Sequence, residues 1–245
     1  MAEVTLHSQN VSDRVDSCHN GRTQPAAPFN SSGEARPNGG YGVSYEQFLN
    51  WIDEDTHAEW VDGEIIMTSP ASIRHQTIKN FLETTLTLFA RAHNLGIVLS
   101  AGTQMRLPTA GREPDVLFVS NVHLGWLQPT FLQGPADIAV EIVSPESVER
   151  DYETKFNEYQ SGGVPEYWLI NATQNTAIFY RWQNGQYQVI PLDSEGRYHS
   201  QALPGFWLKP VWLWRQPLPD PVEVLKRVGG PALVEYFNSS VADDL

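Results

Sequence analysis

The stretch Gly134–Ser147, GPADIAVEIVSPES, decides how this chain is read. Its centre, Ile138-Ala139-Val140-Glu141-Ile142-Val143, is apolar except for one carboxylate. Strand alternation puts Ile138, Val140 and Ile142 on one face and Ala139, Glu141 and Val143 on the other. An ionised side chain inside a buried strand is costly unless a cation or a hydrogen-bond donor compensates it. Two readings of Glu141 stand: a functional acid beside the small Ala139, or a structural glutamate paired with an arginine such as Arg112 or reaching solvent.

Upstream lies Gly111–Val119, GREPDVLFV, in which Asp115 stands between Pro114 and an apolar run. Alone, Pro-Asp is a weak signal, because an aspartate there often satisfies backbone N–H groups in a turn. Downstream, DYETKFNEY (Asp151–Tyr159) reads as a helix whose stripe is Tyr152, Phe156 and Tyr159. Lys155 lies three residues after Tyr152 and four before Tyr159, so it points toward the sheet and the strand carrying Glu141. A lysine snorkelling from the stripe's edge is the structural alternative. Two carboxylates and a lysine together make a site for a hard cation and a phosphodiester. Two further candidates stand beside them. Glu64 opens a strand after a turn, or is simply solvated there; His75 lies in the first turns of a long helix, beside Ser72 and Arg74.

Outward from this centre, Ser44-Tyr-Glu-Gln has the capping-box form and opens a short helix through Phe48, Leu49 and Ile52. Asp62-Gly63 between two strand-like runs predicts a hairpin. Ile78, Phe81, Leu82, Thr85, Leu86 and Phe89 recur at helical spacing and predict a long helix from Ser72 to about His93, ended by Asn94 and Gly96. Strands are expected at Ile97–Leu107, Asp115–Ser120 and Asp137–Ser144, with a helix over about Glu146–Ser161. Tyr167–Asn171, Ala177–Trp182 and Gln186–Pro191 read as further strands, the last two joined at Asn184-Gly185. The pattern predicts an α/β domain with a mixed central sheet flanked by helices over residues 41–217. Strands 137–144 and 167–171, joined through a helix, should run parallel. Residues 1–40, rich in Ser, Asn, Gly and Pro without apolar period, read as a disordered tail. Residues 218–245 read as a short helix around Val222–Val228 and a polar end.

Composition narrows the function. A net charge of −13 argues against coating nucleic acid through a broad basic surface, though not against a small basic track beside an acidic metal site. The single cysteine, Cys18, excludes an intramolecular disulfide framework and fits a reducing cytoplasm. No signal peptide is visible in residues 1–17 and no apolar run is long enough to span a bilayer, so a cytoplasmic location is expected. The aromatic segment with Phe206, Trp207, Val211, Trp212, Leu213 and Trp214 suggests a homodimer interface or, nearly equally, a cover for its own sheet.

Taken in order, VDGEIIMTSPASIRH, REPDVLFVS, ADIAVEIVSPES, YETKFNEY and GVPEYWLI resemble the Uma-two family, which belongs to the PD-(D/E)XK nuclease superfamily. The likeness covers roughly Tyr45 to Pro217. It implies a restriction-endonuclease-like fold and Mg²⁺- or Mn²⁺-dependent cleavage of DNA leaving a 5′-phosphate. Asp115 and Glu141 would be metal ligands with the carbonyl of Ile142, and Glu64 an additional acid able to complete the metal shell. His75 would match the family's histidine. The superfamily's lysine is expected at position 143, which is valine here, and the family places it on the next helix, at Lys155. The alternative is a catalytically weak nuclease-fold module that binds nucleic acid or a protein partner.

Overall fold

A computed structural model of the chain describes residues 42–52, 56, 58–67, 71–100 and 102–239. The expected tail at residues 1–40 and the last residues, 240–245, lie outside the described residues. Helix α1 (Tyr45–Trp51) carries the predicted capping box, with Ser44 Oγ accepting from the Gln47 N–H and the Gln47 side chain accepting from the Ser44 N–H. Strands β1 (Ala58–Val61) and β2 (Glu64–Met67) form the predicted hairpin. Asp62 and Gly63 turn it at φ of 46° and 85°, the left-handed pair that matches strand twist. Helix α2 (Ile73–Ala92), capped by Ser72, buries the predicted stripe from Ile78 to Phe89.

The run read as one strand, Ile97–Leu107, is two: β3 (Gly96–Ser100) and β4 (Gln104–Arg106), which lie in different sheets. Gly102, at φ of 96°, lies between them. Period-2 alternation continues across such a turn, so the change of sheet leaves little trace in the pattern. Then come β5 (Ala110–Arg112), β6 (Val116–Ser120), β7 (Phe131–Leu132) and β8 (Ile138–Ile142). The helix expected over Glu146–Ser161 has a π-helical turn at Arg150–Thr154 that runs into α3 (Lys155–Gly162). Strands β9 (Glu166–Asn171), β10 (Thr176–Gln183) and β11 (Gln186–Val189) follow.

The central sheet has six strands in the order β11-β10-β9-β8-β6-β3. Only β8 and β9 are parallel, as the intervening helix requires; the other neighbours are antiparallel. A second sheet, β2-β1-β5-β4-β7, carries the hairpin. One core lies between the central sheet and α2, with Val116, Phe118, Ile138, Val140, Ile142 and Trp168 pointing into it. The opposite face holds Leu117, Val119, Ala139 and Val143 with Tyr159 of α3. The fold is α/β, with helices on both sides of a mixed sheet, and the alternation inferred around Glu141 is the alternation found.

The aromatic segment is spent within the chain. Phe206, Trp212 and Leu213 are buried in the α2-side core, Trp207 and Trp214 pack against it, and Phe206 meets Phe89 of α2 edge to face. Strands β12 (Tyr198–His199) and β13 (Trp207–Leu208) pair there. Helix α4 (Pro221–Val228) stands where a helix was expected, but a second, α5 (Gly230–Ser239), occupies part of the expected polar end and buries Leu233.

Candidate active site

Asp115 stands one residue before β6. Its Oδ2 accepts a 2.7 Å hydrogen bond from the Ile142 N–H of β8 and lies 3.1 Å from His75 Nε2. The side chain therefore satisfies a backbone donor where the β6–β8 ladder ends. A residue's N–H and C=O lie on the same side of an extended strand, so the Ile142 carbonyl also faces the Asp115 side. His75 reaches this point because Ser72 caps α2 and holds its first turn beside the sheet.

Glu141 is 3% exposed in mid-strand. Its Oε1 accepts from the Tyr159 hydroxyl at 2.6 Å and lies 2.9 Å from Lys155 Nζ. The lysine is therefore no snorkelling side chain: it is 3% exposed and surrounded by acids. Glu59 Oε1 of β1 is 3.2 Å from its nitrogen and Asp151 Oδ1 is 3.7 Å away. The other oxygen of Glu59 meets Arg112 Nη1 at 2.9 Å, and Arg112 grips Glu158 through Nε and Nη2 at 2.6 and 2.8 Å. Arg112 is thus bound to Glu59 and Glu158, not to Glu141.

The candidates are not all brought together. Asp115, Glu141, Lys155 and His75 converge, whereas Glu64 is exposed at the hairpin turn opposite Val61. The hairpin acid that reaches the lysine is Glu59. Both Glu59 and Asp151 escaped the sequence reading, although each left a signal. Asp151 is four residues before Lys155, one helical turn, and Glu59 alternates with Ala58 and Trp60, which face the small core beside α1.

Electrostatics follow from this packing. Burial pushes the Glu59 carboxyl up, but Lys155 and Arg112 outweigh it and hold it at about 2. For Glu141 burial wins: with Asp151, Asp115 and Glu59 adding repulsion against the attraction of Lys155, its carboxyl is pushed up to about 8. Burial also raises Asp151, against Lys155. Lys155 itself, despite burial, is held above its ordinary value by Glu141, Glu59 and Asp151, and stays charged.

The donor set suits a hard cation. Three carboxylates (Glu59, Glu141, Asp151) surround one ammonium, and Asp115 lies next to Glu141. Asp115 Oδ1 and Glu141 Oε2 make no hydrogen bond among the described residues. No group of three or more His, Cys, Asp or Glu side chains is placed to hold a metal ion among those residues.

A mixed sheet flanked by helices, with buried acids and a lysine at one strand end, is a nuclease-like arrangement. A crystal structure from Anabaena variabilis ATCC 29413, described as a "putative nuclease belonging to DUF820", superposes with a TM-score of 0.60 at 15% identity, over 70% of this chain and 97% of that one. At that identity the likeness speaks for the fold. The sequence profile of the Uma2 family, described as "Putative restriction endonuclease", matches residues 45–211, and the chain belongs to that family. No curated protein matches. Among the described residues no helix is long and apolar enough to cross a membrane.

Proposed function

We propose that this protein is a Mg²⁺- or Mn²⁺-dependent endonuclease that hydrolyses DNA phosphodiester bonds. The observation that carries the reading is the meeting of Asp115 and Glu141, each with one oxygen that makes no hydrogen bond among the described residues, with a charged Lys155 against Glu141. Asp115 and Glu141, with the Ile142 carbonyl, would hold the cation. When bound, the cation supplies Lewis-acid polarisation of the phosphate and a lowered pKa for water.

The chain's own residues supply the rest. Lys155 places fixed positive charge where negative charge develops during displacement. His75 and the Ile142 N–H hold Asp115 by one oxygen, which aims the other. Tyr159 does the same for Glu141. Glu59 seats Lys155, while Glu64, which the resemblance made the additional acid of the metal shell, lies exposed at the hairpin turn. The test is cleavage of plasmid and single-stranded DNA with Mg²⁺ or Mn²⁺, against EDTA and against Asp115→Asn and Glu141→Gln. Cleavage surviving in both variants would refute the assignment.

One observation favours a second reading, a nuclease-fold module that binds without cutting. Every ion-pair partner of Lys155 among the described residues is a carboxylate, and the chain carries a net charge of −13, which weakens any nonspecific hold on DNA. Calorimetric titration separates the two: Mn²⁺ binding that disappears in Glu141→Gln supports the enzyme, and its absence in the unmodified protein supports the module.

A further inference from the structure

The two cations deepest in the cluster are committed. Arg112 spends its guanidinium on Glu59 and Glu158, and Lys155 lies among Glu59, Glu141 and Asp151. Neither can take a phosphate oxygen without abandoning a buried carboxylate. An acidic protein that handles a polyanion still needs positive charge at the mouth of its site.

Arg150 borders the cluster, half-buried, and its side chain makes no hydrogen bond among the described residues. Its side chain is 29% exposed, and its nearest carboxylate oxygen is Asp151 Oδ1, 4.0 Å from Nε. That separation is too long for a hydrogen bond, and the buried Nε has no hydrogen-bond partner among the described residues. Asp151 Oδ1 thus lies between two cations, Arg150 at 4.0 Å and Lys155 at 3.7 Å, and itself makes no hydrogen bond. Its other oxygen is fixed by the Ser147 hydroxyl at 2.5 Å. The attraction of Arg150 also reaches Glu59 across the cluster.

The backbone ties the same two cations together. In the π-helical turn Arg150–Thr154 the Lys155 N–H donates to the Arg150 carbonyl, five residues back, where a regular α-helix would bond it to Asp151. The wider turn leaves Asp151 as the side chain one turn behind Lys155, with Arg150 next to it on the side toward Asp151 Oδ1. π-Turns inside helices are frequent at functional sites, and here the turn relates a half-buried cation to a fully buried one.

We propose that Arg150 is a substrate-binding residue that grips a phosphate of the DNA strand beside the scissile bond, with Asp151 as the positioning residue that aims it. The proposal rests on the nuclease reading and adds the group that receives the substrate. A guanidinium suits it, because its planar fork can take two phosphate oxygens at once.

Binding of fluorescein-labelled single- and double-stranded oligonucleotides, measured by anisotropy in Ca²⁺ at several salt concentrations, tests this without depending on turnover. Arg150→Gln should weaken binding about tenfold and flatten the dependence of log affinity on log salt by about one phosphate contact. Arg150→Lys should keep the salt slope, because charge is retained, while recovering only part of the affinity. In cleavage assays the Gln variant should raise KM far more than it lowers kcat. The unmodified protein binding DNA, with Arg150→Gln matching it in affinity and slope at an unchanged melting temperature, overturns the proposal alone. An unmodified protein that neither binds nor cuts DNA with any divalent cation overturns the nuclease reading, and this inference with it.

Discussion

Lys155 concentrates the energetics of the site in one side chain. Removing it strands the buried carboxylates Glu59, Glu141 and Asp151 without their shared counter-charge. Breaking a buried ion network from one side costs about 3–5 kcal/mol. Lys155→Met should therefore lower stability by that order at neutral pH, read by urea denaturation, and the loss should shrink in mild acid as the carboxylates take up protons. In the same variant cleavage should fall by about 10²–10³-fold, the usual cost of deleting one preorganised electrostatic group. Glu141 gives the pH dependence. Its raised folded value, about 8, means the protein stabilises the protonated carboxyl. That contribution is complete below the ordinary glutamate value and disappears as pH rises through about 8. A cation must displace this proton, so Mn²⁺ affinity should increase from pH 6 to pH 8, and calorimetry in buffers of different ionisation enthalpy should register proton release. Affinity independent of pH over that range would remove Glu141 from the ligand set.

At the scale of elements, two buried charged residues join parts of the chain that are far apart in sequence. Arg112 connects β5 to Glu59 on β1 and Glu158 on α3, so one guanidinium binds the second sheet to the helix that presents Lys155. Arg112→Leu leaves Glu158 without its partner and Glu59 with Lys155 alone, and should cost about 3–5 kcal/mol, with the loss of activity exceeding the loss of folded protein because Glu59 is no longer held in place to seat the lysine. Glu166 of β9 works likewise for the aromatic segment. It accepts from Trp168 Nε1, the Tyr198 and Ser200 hydroxyls and the backbone N–H groups of Gln201 and Ala202. Glu166→Ala should release protection of the backbone amides around residues 198–206 in hydrogen exchange before it alters α2. Simultaneous exchange of both regions would show that the segment and the core open as one unit.

For the whole molecule, the described structure covers its aromatic segment internally. Phe206, Trp212 and Leu213 are buried without a partner chain, and Val211, at 54% exposure, is what that segment leaves outside. A homodimer that cuts both strands of a duplex would need another surface, and light scattering should return the mass of one chain, 27.5 kDa. A mass of twice that would call for an interface elsewhere. Residues 1–40 carry no apolar stripe, so their deletion should leave the melting temperature and the cleavage rate unchanged.

The local and periodic features were written in the chain itself. The capping box at Ser44, the turns at Asp62-Gly63 and Asn184-Gly185, the stripe of α2 and the inward face of Glu141 follow from contacts within a few residues, which neighbouring side chains and backbone geometry dictate. So did the pairing of β8 with β9, because a helical crossover demands parallel strands. The assembly around the lysine was different. That Glu59 and not Glu64 reaches Lys155, that Arg112 serves Glu59 and Glu158, and that Ile97–Leu107 divides between two sheets depend on how β1 and β5 pack beside the central sheet. Those partners lie tens of residues apart, and no local period encodes which of two nearby glutamates a buried ammonium will choose. Only the packed tertiary structure decides it, because in a dry interior each charge must find the counter-charge that geometry places within reach.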